Sequence, residues 1–326
     1  MPTNLEQMIR QRARREETGG ILVPLLEEFM RRPVNIEDEK DVKFLESLAR
    51  KMRARETRRK ESKEIYSPSD LGDCLRRVYL KRNFKRMEIG YRRSLRIDPN
   101  FYFLNGNFLH LKWQFAIFKL ERWIANPELF AVYGYEVPIM SKWQDHGGTA
   151  DVIVLVNEIP RVVDFKGLNV RSAMTAMRGE IPSEYVIQLT DYLVLWNSQR
   201  KLPFRIEEAL LIVENKGGPD PRHPLALFEK RISLEDFKPE VQRRISELRR
   251  HERDGTVPDP ECVSTSEIKY TGCPFSGYCK EEVRKIQRRR RRAESIDAQE
   301  PAVAVPARER NHRPGESASG RGDAPS

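Results

Sequence analysis

Residues 147–167 read GGTADVIVLVNEIPRVVDFKG and carry the clearest fold signal in the chain. The segments 150–156 and 161–165 are almost continuously apolar, which is typical of strands buried on both faces, and residues 157–160 supply a turn between them. Asp151, Asp164 and Lys166 are the charged exceptions at the strand ends. Because a buried carboxylate is costly unless something pairs with it, this pattern predicts a divalent-cation site.

Apolar periodicity predicts further elements on both sides of this hairpin. Strands are expected over 132–140, over 206–213 and, at a sheet edge, over 227–232, with helices over 101–125, from Ser183 onward and over 236–253. The order helix, three strands, helix, strand predicts an α/β (α+β) fold with a central mixed β-sheet flanked by helices.

Charge and composition narrow the class of protein. The chain has 326 residues and a net charge of +10, which favours a polyanionic partner. No apolar run approaches the ~20 residues of a membrane span, and the N-terminus lacks a signal-peptide core. A soluble, cytoplasmic protein is therefore expected. Four cysteines are too few for a disulfide scaffold in a chain of this length.

Three segments are expected along the chain. Residues 1–62 are predicted to be a charged helical extension, to which no chemistry is assigned, and residues 63–285 the main domain. Residues 286–326 begin with a basic run, Arg288 to Arg292, and continue rich in Ala, Pro, Gly, Ser and Arg. Such a composition cannot bury enough apolar surface to fold, so a disordered basic tail is predicted.

A basic stretch with interleaved aromatic residues follows the N-terminal extension. Ser67 or Ser69 is suited to cap a helix near Asp70. Basic residues then dominate positions 76–96, with Tyr79, Phe84 and Tyr91 between them. The pattern suits a nucleic-acid backbone with rings free to stack on bases, but it equally suits core aromatic residues beside solvated arginines.

Two helical pairs and a cysteine cluster complete the candidate residues. Gly106 with His110, and Gln188 with Tyr192, lie four positions apart and so share a helix face, with Gly106 expected to allow close backbone approach. The cysteines are Cys74, Cys262, Cys273 and Cys279. Four thiols, three of them clustered near Pro and Gly, predict a tetrahedral zinc or an iron–sulfur cluster.

Taken in order, these motifs resemble the PD-(D/E)xK nucleases of the RecB type. The similarity is to the CRISPR-associated RecB-like exonucleases and the AddB nuclease domain, and it covers residues 67–279. The matching features, in order, are a basic helix with Ser69, Cys74, Arg76 and Arg77, then G-x-x-x-H at Gly106–His110, G-x-x-D at Gly148–Asp151, D-x-K at Asp164–Lys166, Q-x-x-x-Y at Gln188–Tyr192, and a closing cysteine cluster.

The resemblance implies a restriction-endonuclease-like core and a metal-dependent DNA exonuclease. It implies that Asp151, Asp164, His110 and the main-chain carbonyl of Phe165 bind Mg²⁺ or Mn²⁺ and that Lys166 polarises the attacking water. Gln188 and Tyr192 would hold the lysine and the DNA strand, with Glu136 as a supporting acid. Cys74, Cys262, Cys273 and Cys279 would ligate a [4Fe–4S] cluster.

Departures from the family pattern keep alternatives open. Tyr270 stands three positions before Cys273, where relatives carry a cysteine, so zinc is the alternative metal. Glu214-Asn215-Lys216 also fits E-x-K but lacks an acidic strand partner upstream. A structure-specific endonuclease and a non-catalytic DNA-binding accessory protein are the alternative functions. The expected setting is recombination, repair or phage DNA metabolism. A nuclease without a helicase domain favours a phage or defence role, in which a phage-encoded protein would act in the host cytoplasm.

Overall fold

The computed structural model describes residues 20–32, 34–61, 66–89, 99–141, 146–199, 202–218, 226–262 and 273–297. The helices in these ranges are α1 Val23–Phe29, α2 Glu39–Glu61, α3 Pro68–Leu71, α4 Leu75–Asn83, α5 Pro99–Ile124, α6 Val170–Met177, α7 Ser183–Asn197, α8 Leu234–Asp254 and α9 Ser276–Asp297. The strands are β1 Phe130–Met140, β2 Gly147–Val156, β3 Ile159–Leu168, β4 Glu208–Asn215 and β5 Leu227–Ser233.

Within the described ranges the strands form one five-stranded mixed sheet in the order β1-β2-β3-β4-β5. Only the β3–β4 pair is parallel there, and the chain crosses between these strands through α6 and α7. The expected mixed sheet flanked by helices is confirmed, and β5 lies at an edge as predicted.

Both faces of the sheet are covered by helices. On one face, Val152, Val154 and Phe165 pack with residues of α1 and α5. On the other, Ile153 and Val162 pack with residues of α6 and α7. This two-sided burial explains why the central strands lack the alternation of apolar and polar residues that a half-exposed sheet shows.

The N-terminal helices belong to the same packed body as the sheet. Leu22, Leu26 and Phe29 are buried in the core that α5 and the sheet share. Helix α2 is joined to α5 through Lys119, whose Nζ lies 2.9 Å from the buried Asp41. The segment boundary at residue 62 stays a prediction, but the described part of residues 1–62 contributes directly to the core.

The start of the basic stretch follows the predicted capping. Ser67 caps α3 by accepting from the main-chain N–H of Asp70, and the Asp70 carboxylate accepts from the N–H of Ser67. The helix ends at Leu71, and α4 begins only at Leu75. A Cβ at Gly72 would lie 2.4 Å from the Glu184 carbonyl oxygen, so glycine permits this turn to contact the start of α7.

The C-terminal tail differs from its prediction over its first residues. Helix α9 extends to Asp297 and includes Arg288 to Arg292, so residues 286–297 are helical rather than disordered. Arginine, glutamate and glutamine are good helix formers, and they continue a helix that starts in the packed domain. Residues 298–326 lie outside the described ranges. No helix in those ranges has the length and apolar character needed to span a bilayer.

Candidate active site

The two acidic strand residues lie where β2 and β3 separate. The strands pair from Val152↔Val163 to Val156↔Ile159, and Asp151 and Asp164 follow just beyond this paired region. Because the main chain of β3 is released from β2 at this point, the N–H of Phe165 donates to Asp151 Oδ2 at 3.1 Å. Both carboxylates are nearly inaccessible to solvent.

His110 lies in α5 and contacts Asp151. Its Nδ1 lies 2.8 Å from Asp151 Oδ2. Burial alone would lower the pKa of His110, but the neighbouring Asp151 carboxylate outweighs it and raises that pKa. Burial also opposes ionisation of Asp151, yet His110 and Arg55 lower its pKa to about 2.

Gly106 does not have its predicted role. Among the described residues, no atom lies within 4 Å of a Cβ placed on Gly106. Close backbone approach is therefore not what this glycine provides to the described part of the fold. In contrast, a Cβ on Gly148 would lie 2.7 Å from Pro68 Cδ and 3.2 Å from Tyr192 Cε1, so the glycine of G-x-x-D is sterically required.

Lys166 is paired with Asp164. Its Nζ lies 2.8 Å from Asp164 Oδ2, and the ring of Tyr185 is 5.6 Å away. Burial lowers the pKa of Lys166, but the Asp164 and Asp151 carboxylates raise it overall, so the side chain is an ammonium. Burial, together with the charge of Asp151, raises the pKa of Asp164.

Gln188 contacts the Asp164 carboxylate, and Tyr192 contacts the main chain of the strand that carries Asp151. Gln188 Nε2 donates at 3.5 Å to Asp164 Oδ1, and it lies equally far from the Tyr192 hydroxyl. Tyr192 donates to the carbonyl oxygen of Thr149 at 3.0 Å. Helix α7 thereby holds both acidic strands at a fixed separation. Among the described residues neither side chain forms a hydrogen bond to Lys166, and their predicted hold on the DNA strand stays a prediction.

Arg55 is a site residue that the sequence did not reveal. It comes from α2, where it is one of seven basic residues between positions 50 and 60. Its NH1 donates to Glu136 Oε2 at 3.1 Å and lies 3.6 Å from Asp151 Oδ1. No local pattern separates Arg55 from its solvated neighbours, so tertiary contact alone identifies it.

Glu136 occupies a more central position than its predicted supporting role. It lies in β1 opposite Asp151, between the register pairs Tyr135↔Val152 and Val137↔Ala150. Its Oε1 accepts from Gln114 Nε2 at 2.9 Å. Its backbone has φ +50°, a left-handed conformation that costs a non-glycine residue about 1–3 kcal/mol. The surrounding contacts therefore hold this carboxylate in place against backbone strain.

The carboxylates have the chemistry of a hard-cation site but are internally neutralised. In the described part of the chain, no three His, Cys, Asp or Glu side chains are arranged to hold an ion. Lys166, His110 and Arg55 instead balance the acidic charges. Asp164 Oδ2 is buried and has Lys166 Nζ, at 2.8 Å, as its charged partner among the described residues. Carboxylate oxygens are the ligands that Mg²⁺ and Mn²⁺ prefer, so the donor set fits these cations.

The acid of the second E-x-K sequence has a different environment. Glu214 Oε2 accepts from Lys112 Nζ at 2.6 Å and from Trp113 Nε1 at 2.5 Å. Both donors come from α5, so Glu214 joins that helix to the end of β4. This arrangement favours a structural role and leaves Asp164 and Lys166 as the better catalytic candidates.

Three of the four cysteines lie in one apolar cluster beside α4, and Cys74 directly precedes that helix as its N-cap residue. Cys262, Cys273 and Cys279 pack in one small apolar cluster with Tyr79 and Phe275. Burial raises the pKa of the Cys279 thiol, and the charges of Cys273 and Cys74 add to that rise. Residues 263–272, which connect Cys262 to Cys273, lie outside the described ranges. The four thiols therefore share a neighbourhood without a complete ligand geometry in the described residues.

The aromatic residues of the basic stretch are mostly part of the core. Tyr79 is fully buried, and Phe84 packs against the same cluster. Arg76 is also buried, with NH1 donating to the carbonyl oxygen of Pro258 at 2.8 Å. Stacking of Tyr79 on bases is therefore ruled out, whereas Lys81, Lys85 and Arg86 remain exposed. Tyr91 lies outside the described ranges.

Comparisons with known proteins give limited similarity. No protein-family model matches the chain, and no curated protein does. Among solved structures, a protein designated SSO0001 is 20% identical with a TM-score of 0.41, covering 74% of this chain and 96% of that one. An alkaline exonuclease, LHK-Exo, from Laribacter hongkongensis is 18% identical with a TM-score of 0.28, covering 40% of this chain and 62% of that one. Neither similarity assigns a family or an activity.

Proposed function

We propose that the protein is a Mg²⁺- or Mn²⁺-dependent deoxyribonuclease that degrades DNA from its ends. The observation that carries the proposal is the convergence of Asp151, Asp164 and Lys166 where β2 and β3 part. Two buried carboxylates and a half-buried ammonium are expensive to desolvate, and no packing requirement of a two-sided sheet calls for them. Perturbed charged groups gathered in this way favour a catalytic site.

The residues of the chain divide into cation ligands and substrate ligands. Asp151, Asp164 and the Phe165 carbonyl would hold the cation, with His110 as a further ligand or as the group that orients Asp151. A bound divalent cation supplies charge neutralisation at the phosphate and lowers the pKa of a bound water. Lys166, held as an ammonium by Asp164, would donate to the reacting water or to a phosphate oxygen as negative charge develops.

The role of α7 is to fix the geometry of this reaction. Gln188 restrains one oxygen of Asp164, and Tyr192 restrains the main chain two residues before Asp151. The carboxylate that binds the cation therefore has limited freedom to turn away. Preorganised ligands of this kind avoid reorganisation during the reaction.

The test is cleavage of end-labelled linear DNA by the full chain. We expect cleavage with Mg²⁺ or Mn²⁺, no cleavage with a chelator, and a loss of more than about 100-fold in Asp164→Ala. The control Glu214→Gln changes the acid of the other E-x-K sequence and should retain activity. Circular dichroism checks that both variants fold. Undiminished cleavage by Asp164→Ala would overturn the site.

Substrate topology separates the alternatives. An exonuclease leaves covalently closed circular DNA intact, whereas a structure-specific endonuclease cuts branched or circular substrates. A non-catalytic accessory protein binds DNA in every assay and cleaves none. Binding and cleavage are therefore measured on the same substrates, single-stranded and double-stranded.

We further propose that Cys74, Cys262, Cys273 and Cys279 bind a [4Fe–4S] cluster, with Zn²⁺ as the alternative. The support is that Cys262, Cys273 and Cys279 lie in one apolar cluster, and that Cys74 is close enough to Cys279 to raise its pKa. Thiolates are soft ligands that suit iron–sulfur clusters and zinc. A bound metal would join α4 to the segment that begins α9, and so close the domain.

A further inference from the structure

Arg55 links the N-terminal segment to the candidate active site. Its guanidinium lies between two buried carboxylates, with NH1 3.1 Å from Glu136 Oε2 and 3.6 Å from Asp151 Oδ1. Both acids raise its pKa despite its burial. The side chain is therefore a permanent cation fixed beside the Asp151 carboxylate.

Glu136 holds the Arg55 guanidinium in place. Gln114 Nε2 donates to Glu136 Oε1, which leaves Oε2 for Arg55. Glu136 has φ +50°, and its carboxylate contacts both α2, through Arg55, and α5, through Gln114. Glu136 is strained, and Gln114 fixes its carboxylate, so its role is to position the Arg55 side chain.

The other side of the guanidinium is available for a ligand. Within the described ranges, NH1 is the only atom of Arg55 that donates a hydrogen bond, and the side chain is 36% exposed. Within those ranges the Nε and NH2 groups have no acceptor, so they can donate to a ligand. A planar pair of N–H groups matches the spacing of two phosphate oxygens, which an ammonium cannot match.

The position of Arg55 also bears on the number of cations. Two-metal phosphodiesterases hold cations about 3.5–4 Å apart on shared carboxylates. Here Asp151 would be the shared ligand and Glu136 the ligand of a second ion, but Arg55 already neutralises both acids. A second cation in this place would be repelled by the guanidinium.

We propose that Arg55 binds a phosphate group of the DNA strand beside the single cation, in the place of a second metal ion. The proposal rests on the proposed nuclease function. It makes the N-terminal helix α2 part of the substrate site, because the phosphate ligand comes from residue 55 while the carboxylates come from residues 136 and 151.

The test compares Arg55→Gln with Arg53→Gln. Both variants remove one positive charge from α2, but Arg53 is exposed and forms no ion pair with Glu136 or Asp151 in the described structure. The full chain is titrated with a fluorescein-labelled single-stranded oligonucleotide in Ca²⁺, a hard cation used here to load the site, and gels confirm that the probe stays intact. Affinity is measured by anisotropy at several salt concentrations.

We expect Arg55→Gln to bind the oligonucleotide about tenfold or more weakly, the loss typical of a charge-assisted hydrogen bond, whereas Arg53→Gln stays within about twofold of wild type. The slope of log K against log salt concentration should be smaller in magnitude by about 0.7 in Arg55→Gln, as expected for one lost phosphate contact on a single strand. Arg55→Lys keeps the charge but not the planar fork, and should recover the affinity only in part. Thermal melts check that each variant folds. If Arg55→Gln does not fold, the affinity of Arg55→Lys is compared with that of Arg53→Gln instead.

The outcomes separate this proposal from the nuclease function. Equal affinities of Arg55→Gln and Arg53→Gln overturn the phosphate site, even if wild-type protein cleaves DNA. A selective loss in Arg55→Gln supports it, even if wild-type protein cleaves none, in which case the nuclease function alone fails.

Discussion

At the scale of single residues, Glu229 shows how one carboxylate fixes a chain segment. Its oxygens accept the main-chain N–H groups of Ile21, Leu22 and Val23, the last two at 2.8 Å. These are the N–H groups at the start of α1, which no helical turn can satisfy. Glu229 lies in β5, so this single side chain attaches the N-terminal segment to the edge of the sheet.

We expect Glu229→Ala to lower the free energy of unfolding by about 3 kcal/mol, because it leaves several partly buried donors without an acceptor. Urea denaturation of the full chain measures the change. Lys230→Ala, an exposed position on the same strand, is the matched control and should change stability little. Equal effects of the two substitutions would contradict the anchoring role of Glu229.

The same scale explains the electrostatics of the candidate site. Asp151 and Asp164 are equivalent in sequence, each an acid in an apolar strand. Their pKa values nevertheless move in opposite directions, down for Asp151 and up for Asp164. Asp151 has His110 and Arg55 beside it, whereas Asp164 has Lys166 and the repulsive charge of Asp151. Tertiary neighbours thus assign different protonation behaviour to similar residues.

At the scale of elements, the β2–β3 hairpin has a tight two-residue turn, and one turn residue, Glu158, is unfavourable in its backbone conformation. Asn157 and Glu158 both have positive φ, +49° and +62°. This is the two-residue turn that matches the twist of a hairpin, in which glycine is strongly preferred at the second position. Asn157 tolerates the conformation, whereas Glu158 is strained.

We therefore expect Glu158→Gly to raise the free energy of unfolding by about 1 kcal/mol, since glycine adopts positive φ without a steric cost. Glu158 is exposed, so few contacts are lost. Thermal or urea unfolding measures the gain, and Glu158→Ala, which retains a Cβ, should not show it. A loss of stability in Glu158→Gly would contradict the strain.

A charged ladder joins three strands at the other end of the sheet from the site. Glu208 in β4 accepts from Arg161 Nε in β3 at 2.9 Å and pairs with Arg231 in β5. Burial opposes ionisation of Glu208, but the two arginines together lower its pKa below the ordinary value of 4.5. A lowered carboxyl pKa stabilises the fold above the unfolded-state pKa, and this contribution disappears as pH falls through the folded-state pKa.

Glu208→Gln should accordingly lower the free energy of unfolding by about 1 kcal/mol at pH 7. The difference from wild type should start to shrink below the ordinary carboxyl pKa and vanish below the lowered folded-state pKa, where wild-type Glu208 is also neutral. Urea unfolding curves at neutral and acidic pH make the comparison. An identical difference at both pH values would show that the ion pairs contribute nothing.

At the scale of the whole molecule, the cysteines connect distant parts of the chain. Cys74 precedes α4, whereas Cys279 lies in α9, and both thiols have raised pKa values because they are buried. A metal bound between them would constrain the unfolded chain as well as the folded one. It would also bring together the capped start of the basic stretch and the closing helix.

We expect protein purified without oxygen to be brown, with absorbance at about 400 nm from a thiolate-ligated iron–sulfur cluster. Cys279→Ser should lose the colour and melt at a lower temperature. Iron, sulfide and zinc analysis of the same samples distinguishes the metals. A colourless protein with stoichiometric zinc would replace the cluster by a zinc site, and a protein with neither metal would refute both.

Much of the fold follows from local sequence. The continuous apolar runs predict the β2–β3 hairpin, and the order of elements predicts the mixed sheet, because buried strands between covering helices need apolar residues on both faces. The Ser67 cap and the edge strand β5 are confirmed for similar local reasons. The pairing of Asp164 with Lys166 is also a near-neighbour relation along one strand.

Tertiary structure alone decides what surrounds these residues. Arg55 and Glu136 are 81 positions apart, and their contact depends on how α2 packs against β1. The same applies to the buried state of Tyr79, to the Gln188–Asp164 bond and to the gathering of the cysteines. A local sequence pattern specifies the secondary structure of a segment. Long-range packing determines which charged side chains come into contact, and the proposed chemistry depends on those contacts.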